Sequence, residues 1–104
     1  MGINLTTQLI GQIVDYCQPT FISYAKSYLK KIKDGFIADG RHVDSPSIPS
    51  YLLAQNLDPL IVKGFMLLAL EEAQVTNYVV VTPILKAWFQ LYRMPEIHIN
   101  NMFA

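Results

Sequence analysis

The chain is short of charge. Only 15% of its 104 residues are Asp, Glu, Lys or Arg, against about 25% in a typical soluble domain. With so little charge to cover a surface, a sizeable apolar patch and a partner are expected. Eight basic residues balance eight acidic ones, which removes any general attraction to nucleic acid or an anionic membrane and leaves only local clusters to supply one. Cysteine is nearly absent. Cys17 alone can neither form an intrachain disulfide nor anchor a thiolate metal site, so a reducing compartment is expected. Its place on a helical apolar face marks a buried structural thiol. Long hydrophobic runs are missing too: the longest, Phe65 to Leu70, lies between Lys63 and Glu71 and is far too short to span a bilayer. The opening MGINLTTQ has no positive charge and Asp15 interrupts the first apolar stretch, so no secretory signal and a cytoplasmic location are expected.

The inventory for catalysis is equally thin. There is no glycine-rich phosphate loop, nucleophile elbow or paired-cysteine motif. Asp39, His42 and Asp44 share a loop, but D-x-x-H-x-D is not a metal-ligand spacing and offers one strong nitrogen ligand. His98 lies in an alternating segment where it points to solvent. Cys17 and Asp15 make no nucleophilic pair, because a carboxylate raises a thiol pKa. No catalytic residue, metal or cofactor is therefore expected.

What remains is apolar periodicity, and it reads as a mainly α, compact single domain over residues 1–104 with four to five helices. Leu5, Leu9, Ile10, Ile13, Val14 and Cys17 predict a first helix, and Pro19 a break. A second helix runs from Pro19 to about Lys33 on the stripe Phe21, Ile22, Ala25, Tyr28, Leu29 and Ile32. Ile37 to Pro49 is a loop by composition. A short helix begins at Ser47 or Ser50, and Asp58-Pro59 starts one that is apolar nearly all round to Ala73. Val75 to Val81 is ambiguous, since three successive valines favour a strand while Thr82-Pro83 signals a helix start to about Met94. The alternation in Glu96 to Asn100 suggests a strand that pairs with residues 78–81, within or between subunits. No internal repeat is evident.

The segment Leu53-Ala54-Gln55-Asn56-Leu57, then Asp58-Pro59, then LLALEEAQV from Leu67 to Val75, resembles winged helix-turn-helix domains. The resemblance covers about a third of the chain and implies two closely crossing helices, which small Ala54 would permit. Three departures stand out: Asp58 replaces the usual turn glycine, the turn is short, and no glycine-containing wing follows Val75. Reading DNA would also need polar residues at the start of the second helix of the unit, where this chain has Pro59, Leu60, Ile61 and Val62, with Lys63 the sole donor.

Two functional expectations follow. The first is a non-enzymatic protein that binds another protein, or itself as a homo-oligomer, in a regulatory adaptor, inhibitor or structural role. Phe65, Met66, Trp88, Phe89 and Tyr92 are the candidate interface residues, being of the types that concentrate binding energy. The competing reading is that they fill a monomeric core. The second is a helix-turn-helix DNA-binding regulator whose phosphate contacts come from Lys26, Lys30, Lys31, Lys33, Arg41 and Lys63. Asp34, Asp39 and Asp44 dilute that cluster, so a solvated helix face is the preferred reading of it.

Overall fold

The computed structural model describes residues 5–35 and 50–103. Within them the chain forms helices α1 (Thr7–Gly35), α2 (Ser50–Gln55), α3 (Pro59–Glu72), α4 (Tyr78–Leu91) and α5 (Glu96–Phe103). One hydrophobic core joins all of them. The loop residues Asp39, Arg41, His42 and Asp44 lie outside the described residues.

The break expected at Pro19 does not occur: α1 is one helix of 29 residues with Pro19 inside it. A proline in a helix interior costs about 3 kcal/mol through its missing N–H and a clash with the preceding turn. Here Val14, Cys17, Phe21, Ala25 and Leu29 are buried at three- and four-residue spacing on both sides of it. Each large side chain buried contributes about 1.5–3 kcal/mol, so a stripe that crosses the proline outweighs it. Pro19 is itself exposed.

Helices α3 and α4 share one plan. Each has 14 residues and an Asx N-cap: Asp58 accepts from the N–H of Leu60 at 2.8 Å, and Asn77 from that of Val79 at 3.0 Å. Each buried position of α3 has a buried counterpart on α4, Val62 with Val81, Met66 with Leu85, Ala69 with Trp88, and Leu70 with Phe89, while α4 buries Val80 and Ile84 in addition. Both end in the same Schellman geometry. Val75 N–H donates to Leu70 C=O and Gln74 N–H to Glu71 C=O; Met94 N–H donates to Phe89 C=O and Arg93 N–H to Gln90 C=O. The repeat lies in caps and burial rather than residue identity, so it is invisible to direct sequence comparison.

Two expectations are thereby corrected. Residues 78–81 are the first turn of α4, not a strand, because Asn77 caps a helix whose buried face already includes Val80 and Val81. The valine penalty is a few tenths of a kcal/mol per residue, less than either side chain gains on burial. Residues 96–100 belong to helix α5, held by buried Ile99 and by Lys63, whose Nζ donates to Met102 C=O at 3.1 Å and lies 4.8 Å from the Phe103 ring centroid. There is no strand among the described residues, and hence no strand pair and no wing after Val75.

Gln74 and Arg93 occupy the left-handed region, at φ 64° and 56°. Left-handed backbone costs a side-chain-bearing residue about 1–2 kcal/mol, part of which a glycine returns as lost chain entropy. Gln74→Gly and Arg93→Gly are each expected to raise stability by about 0.5–1 kcal/mol, read as a higher urea midpoint with an unchanged slope.

A polar link runs through the centre of the fold. Trp88 Nε1 and the Tyr92 hydroxyl donate to Gln18 Oε1 at 3.1 and 2.5 Å, while Gln18 Nε2 donates to Ser50 Oγ at 2.7 Å. Gln55 Nε2 donates to Tyr92 C=O at 2.7 Å. Phe21 meets Trp88 edge to face, ring centroids 5.4 Å apart. One glutamine thus ties α1, α2 and α4 together.

Candidate functional site

The aromatic residues expected at an interface are mostly interior. Met66, Trp88 and Phe89 are fully buried and Tyr92 is 1% exposed, all within the chain's own core. Only Phe65 reaches the surface, half-buried between Tyr24, stacked on it at 6.0 Å, and Tyr28, edge-on at 5.7 Å. The reason is geometric: α4 is covered by α1, α3 and α5, so its aromatic stripe has no open side.

An open groove lies between α1 and α3. Tyr16, Thr20, Tyr24 and Tyr28 recur every four residues along one flank of α1, beside the buried stripe. Ile61, Phe65, Leu68 and Glu72 form the facing row on α3. Tyr16, Cys17 and Thr20 line a groove of about 270 Å³ with Ala69, Glu72 and Ala73. Tyr28, farther along α1, meets Phe65, nearer the start of α3, so the two helices run antiparallel. Tyr16 is 77% exposed and Leu68 41%. The Tyr24 hydroxyl donates to Glu72 Oε1 at 2.6 Å, which closes the middle of the row.

That hydrogen bond sets the chemistry of Tyr24. Donation to the Glu72 carboxylate holds the phenol in its neutral form and raises its pKa above the ordinary value near 10, with desolvation and the negative charges of Glu72 and Glu71 adding in the same direction. A group whose folded pKa is raised contributes stability below its unfolded pKa and loses it as pH climbs through the folded one. Tyr24 is therefore expected to ionise above the ordinary phenol range in an absorbance titration, and Glu72→Gln to return it toward that range. Burial raises Cys17 as well, which fits an inert core thiol at 1% exposure.

The lysine cluster is only partly assembled among the described residues. Lys30 and Lys31 are exposed near the end of α1 and Lys26 is half-buried. The Lys33 side chain and Arg41 lie outside what is described. Lys63 is engaged with the end of α5 and Phe103, so it is not presented as a donor at the start of α3, where Leu60 is 67% exposed instead. His98 is exposed on α5. No three potential metal ligands converge among the described residues, and no helix among them is long and apolar enough to cross a membrane.

Tyr16, Leu68 and Glu72 were not singled out from the sequence, and Tyr24 was considered only as a hydrogen-bond donor beside the lysine cluster. Their signal was the four-residue tyrosine spacing on α1, which a helix break at Pro19 hides. Comparison with models of known families, with curated proteins and with solved structures found no match to this chain.

Proposed function

We propose that this chain is a non-enzymatic protein-binding module whose binding surface is the face formed by α1 and α3. The observation that carries this reading is the exposed pair Tyr16 and Leu68 with half-buried Tyr24, Tyr28 and Phe65, next to a groove that Tyr16 lines at one end. Tyrosine and phenylalanine concentrate binding energy at interfaces because they bury large area at small loss of side-chain freedom. The contact of α2 with α3 and fully buried Ala54 support a helix-turn-helix-like scaffold beneath that face, used to hold protein rather than to read bases. Glu71 and Glu72 on the same face oppose a polyphosphate backbone. Such a module acts as an adaptor or an inhibitor, by occupancy.

A photo-crosslinking amino acid placed at Tyr16 or at Leu68 tests the reading against one placed at Gln90, which is exposed on α4. Discrete heavier products from the first two positions and none from the third are expected in the cells that make the protein. Equal or no products from all three would overturn the assignment of this face.

A further inference from the structure

The groove between α1 and α3 has a charge and a size that select one kind of group. Its lining is Tyr16, Cys17 and Thr20 from α1 with Ala69, Glu72 and Ala73 from the end of α3, so one carboxylate and one aromatic ring face the space and no cation is among them. Exposed Asp15 and Glu71 are each next in sequence to a lining residue, and the carboxyl end of α3 adds its partial negative charge at the same place. The nearest described lysines on the two helices are Lys26, six residues beyond Thr20, and Lys63, nine before Glu72. At the helical rise they stand about 9 and 14 Å away along the axes, a screening length or more at moderate salt, so the described surroundings of the groove are negative.

The carboxylate is also oriented. Tyr24 donates to Glu72 Oε1 at 2.6 Å, which uses one of about four acceptor positions on a carboxylate and fixes the direction of the rest. The proton stays on the phenol, in keeping with its raised pKa, so Glu72 keeps its charge. Tyr16, 77% exposed, brings a ring to the opposite wall, and small Ala69 and Ala73 leave the width between them open. The volume decides the size of the occupant. About 270 Å³ falls below the roughly 300–1,000 Å³ of pockets that enclose drug-sized molecules, and suits a single long side chain.

We infer that the groove receives an arginine side chain of the protein bound on this face, its guanidinium on the Glu72 carboxylate and against the Tyr16 ring, its alkyl stem over Ala69 and Ala73. This inference rests on the face proposed above and names the chemistry of the partner. Arginine is favoured over lysine because a planar guanidinium pairs with a carboxylate through two N–H groups and stacks on an aromatic ring, whereas an ammonium is a strongly hydrated point charge.

Titration of the ¹⁵N-labelled full chain with acetyl-arginine amide, followed by amide chemical shifts, provides the test. Saturable shifts centred on Tyr16, Thr20 and Ala73 are expected, with a dissociation constant on the order of 1–10 mM for so small a ligand, while acetyl-citrulline amide, its uncharged counterpart, should leave them in place. Glu72→Gln should weaken binding by about tenfold or more, and Tyr16→Ala severalfold; both side chains are exposed, so each variant keeps the fold. Within cells, Glu72→Gln should also cut severalfold the product captured by a photo-crosslinking residue at Leu68. No saturable shift up to about 50 mM, an equal response to the citrulline amide, or shifts that survive both substitutions would overturn the inference. A Leu68 product unchanged by Glu72→Gln would refute the arginine and leave the binding face standing. Shifts with arginine amide but no product from Tyr16 or Leu68 would overturn the face and, with it, the protein source of the arginine.

Discussion

Trp88→Ala is expected to bring the chain close to unfolding. Trp88 is fully buried, packs edge to face on Phe21 and donates to Gln18. Truncating a buried tryptophan removes its transfer free energy and leaves a cavity, together about 3–5 kcal/mol. The lost donor leaves Gln18 Oε1 with the Tyr92 hydroxyl alone. Small domains have about 5–15 kcal/mol in total, so the urea midpoint, followed by far-UV circular dichroism, should fall by about a fifth at the least. An interface tryptophan would behave differently: its truncation would weaken association and leave the monomer's midpoint near the original.

Gln18→Leu should be the costliest change to a polar residue. The leucine fills most of the glutamine's volume, so the effect is chiefly the orphaning of Trp88 Nε1–H and the Tyr92 hydroxyl. Trp88 is fully buried and Tyr92 1% exposed. A buried donor left without a partner costs about 1–3 kcal/mol, which for two donors places the total near 2–6 kcal/mol in the same denaturation measurement. Adding Tyr92→Phe to Gln18→Leu should cost little more, because that hydroxyl has already lost its acceptor. Less-than-additive behaviour in the double variant is the signature of a shared hydrogen bond rather than of two independent packing defects.

How much of this was legible in the sequence differs between elements for physical reasons. The start of α3 was plain, since Asp58-Pro59 is both a cap and a first-turn proline, and the observed helix begins at Pro59. The helix Ser50–Gln55 was likewise read closely. The continuity of α1 was not, because the penalty of Pro19 is local and visible whereas the burial that overrides it depends on what α3 and α4 bring alongside. The end of α3 was read closely, to about Ala73, but the start of α4 was not: with Gln74 instead of a glycine at the left-handed cap, Val75 to Val81 stayed ambiguous between strand and helix, and Thr82-Pro83 pointed to a later start than Tyr78. Arg93 hid α5 in the same way.

The face proposed for binding was less legible still. Trp88, Phe89 and Tyr92 drew attention because interfaces are rich in such side chains, yet cores are too, and only the covering of α4 by three helices decides between them. A chain with 15% charged residues was expected to carry a sizeable apolar patch; the large apolar side chains exposed among the described residues are Tyr16, Tyr51, Leu52, Leu60, Leu68, Tyr78, Val79, Leu91 and Ile97. Which of these share a face depends on the antiparallel setting of α1 and α3, which no periodicity within one helix reveals.

The central claim is that the aromatic residues of α4 hold the core of a single protomer while binding takes place on the α1–α3 face. The chain's one tryptophan is Trp88, so acrylamide quenching of its fluorescence reports on that claim without a label. The direct measurement is the quenching constant across a wide dilution series, for the native chain and for Leu68→Glu. Low quenching that is unchanged by dilution and by the substitution is the predicted result. Quenching that rises as the protein is diluted, with the fold intact by circular dichroism, would place Trp88 in an interface and contradict it.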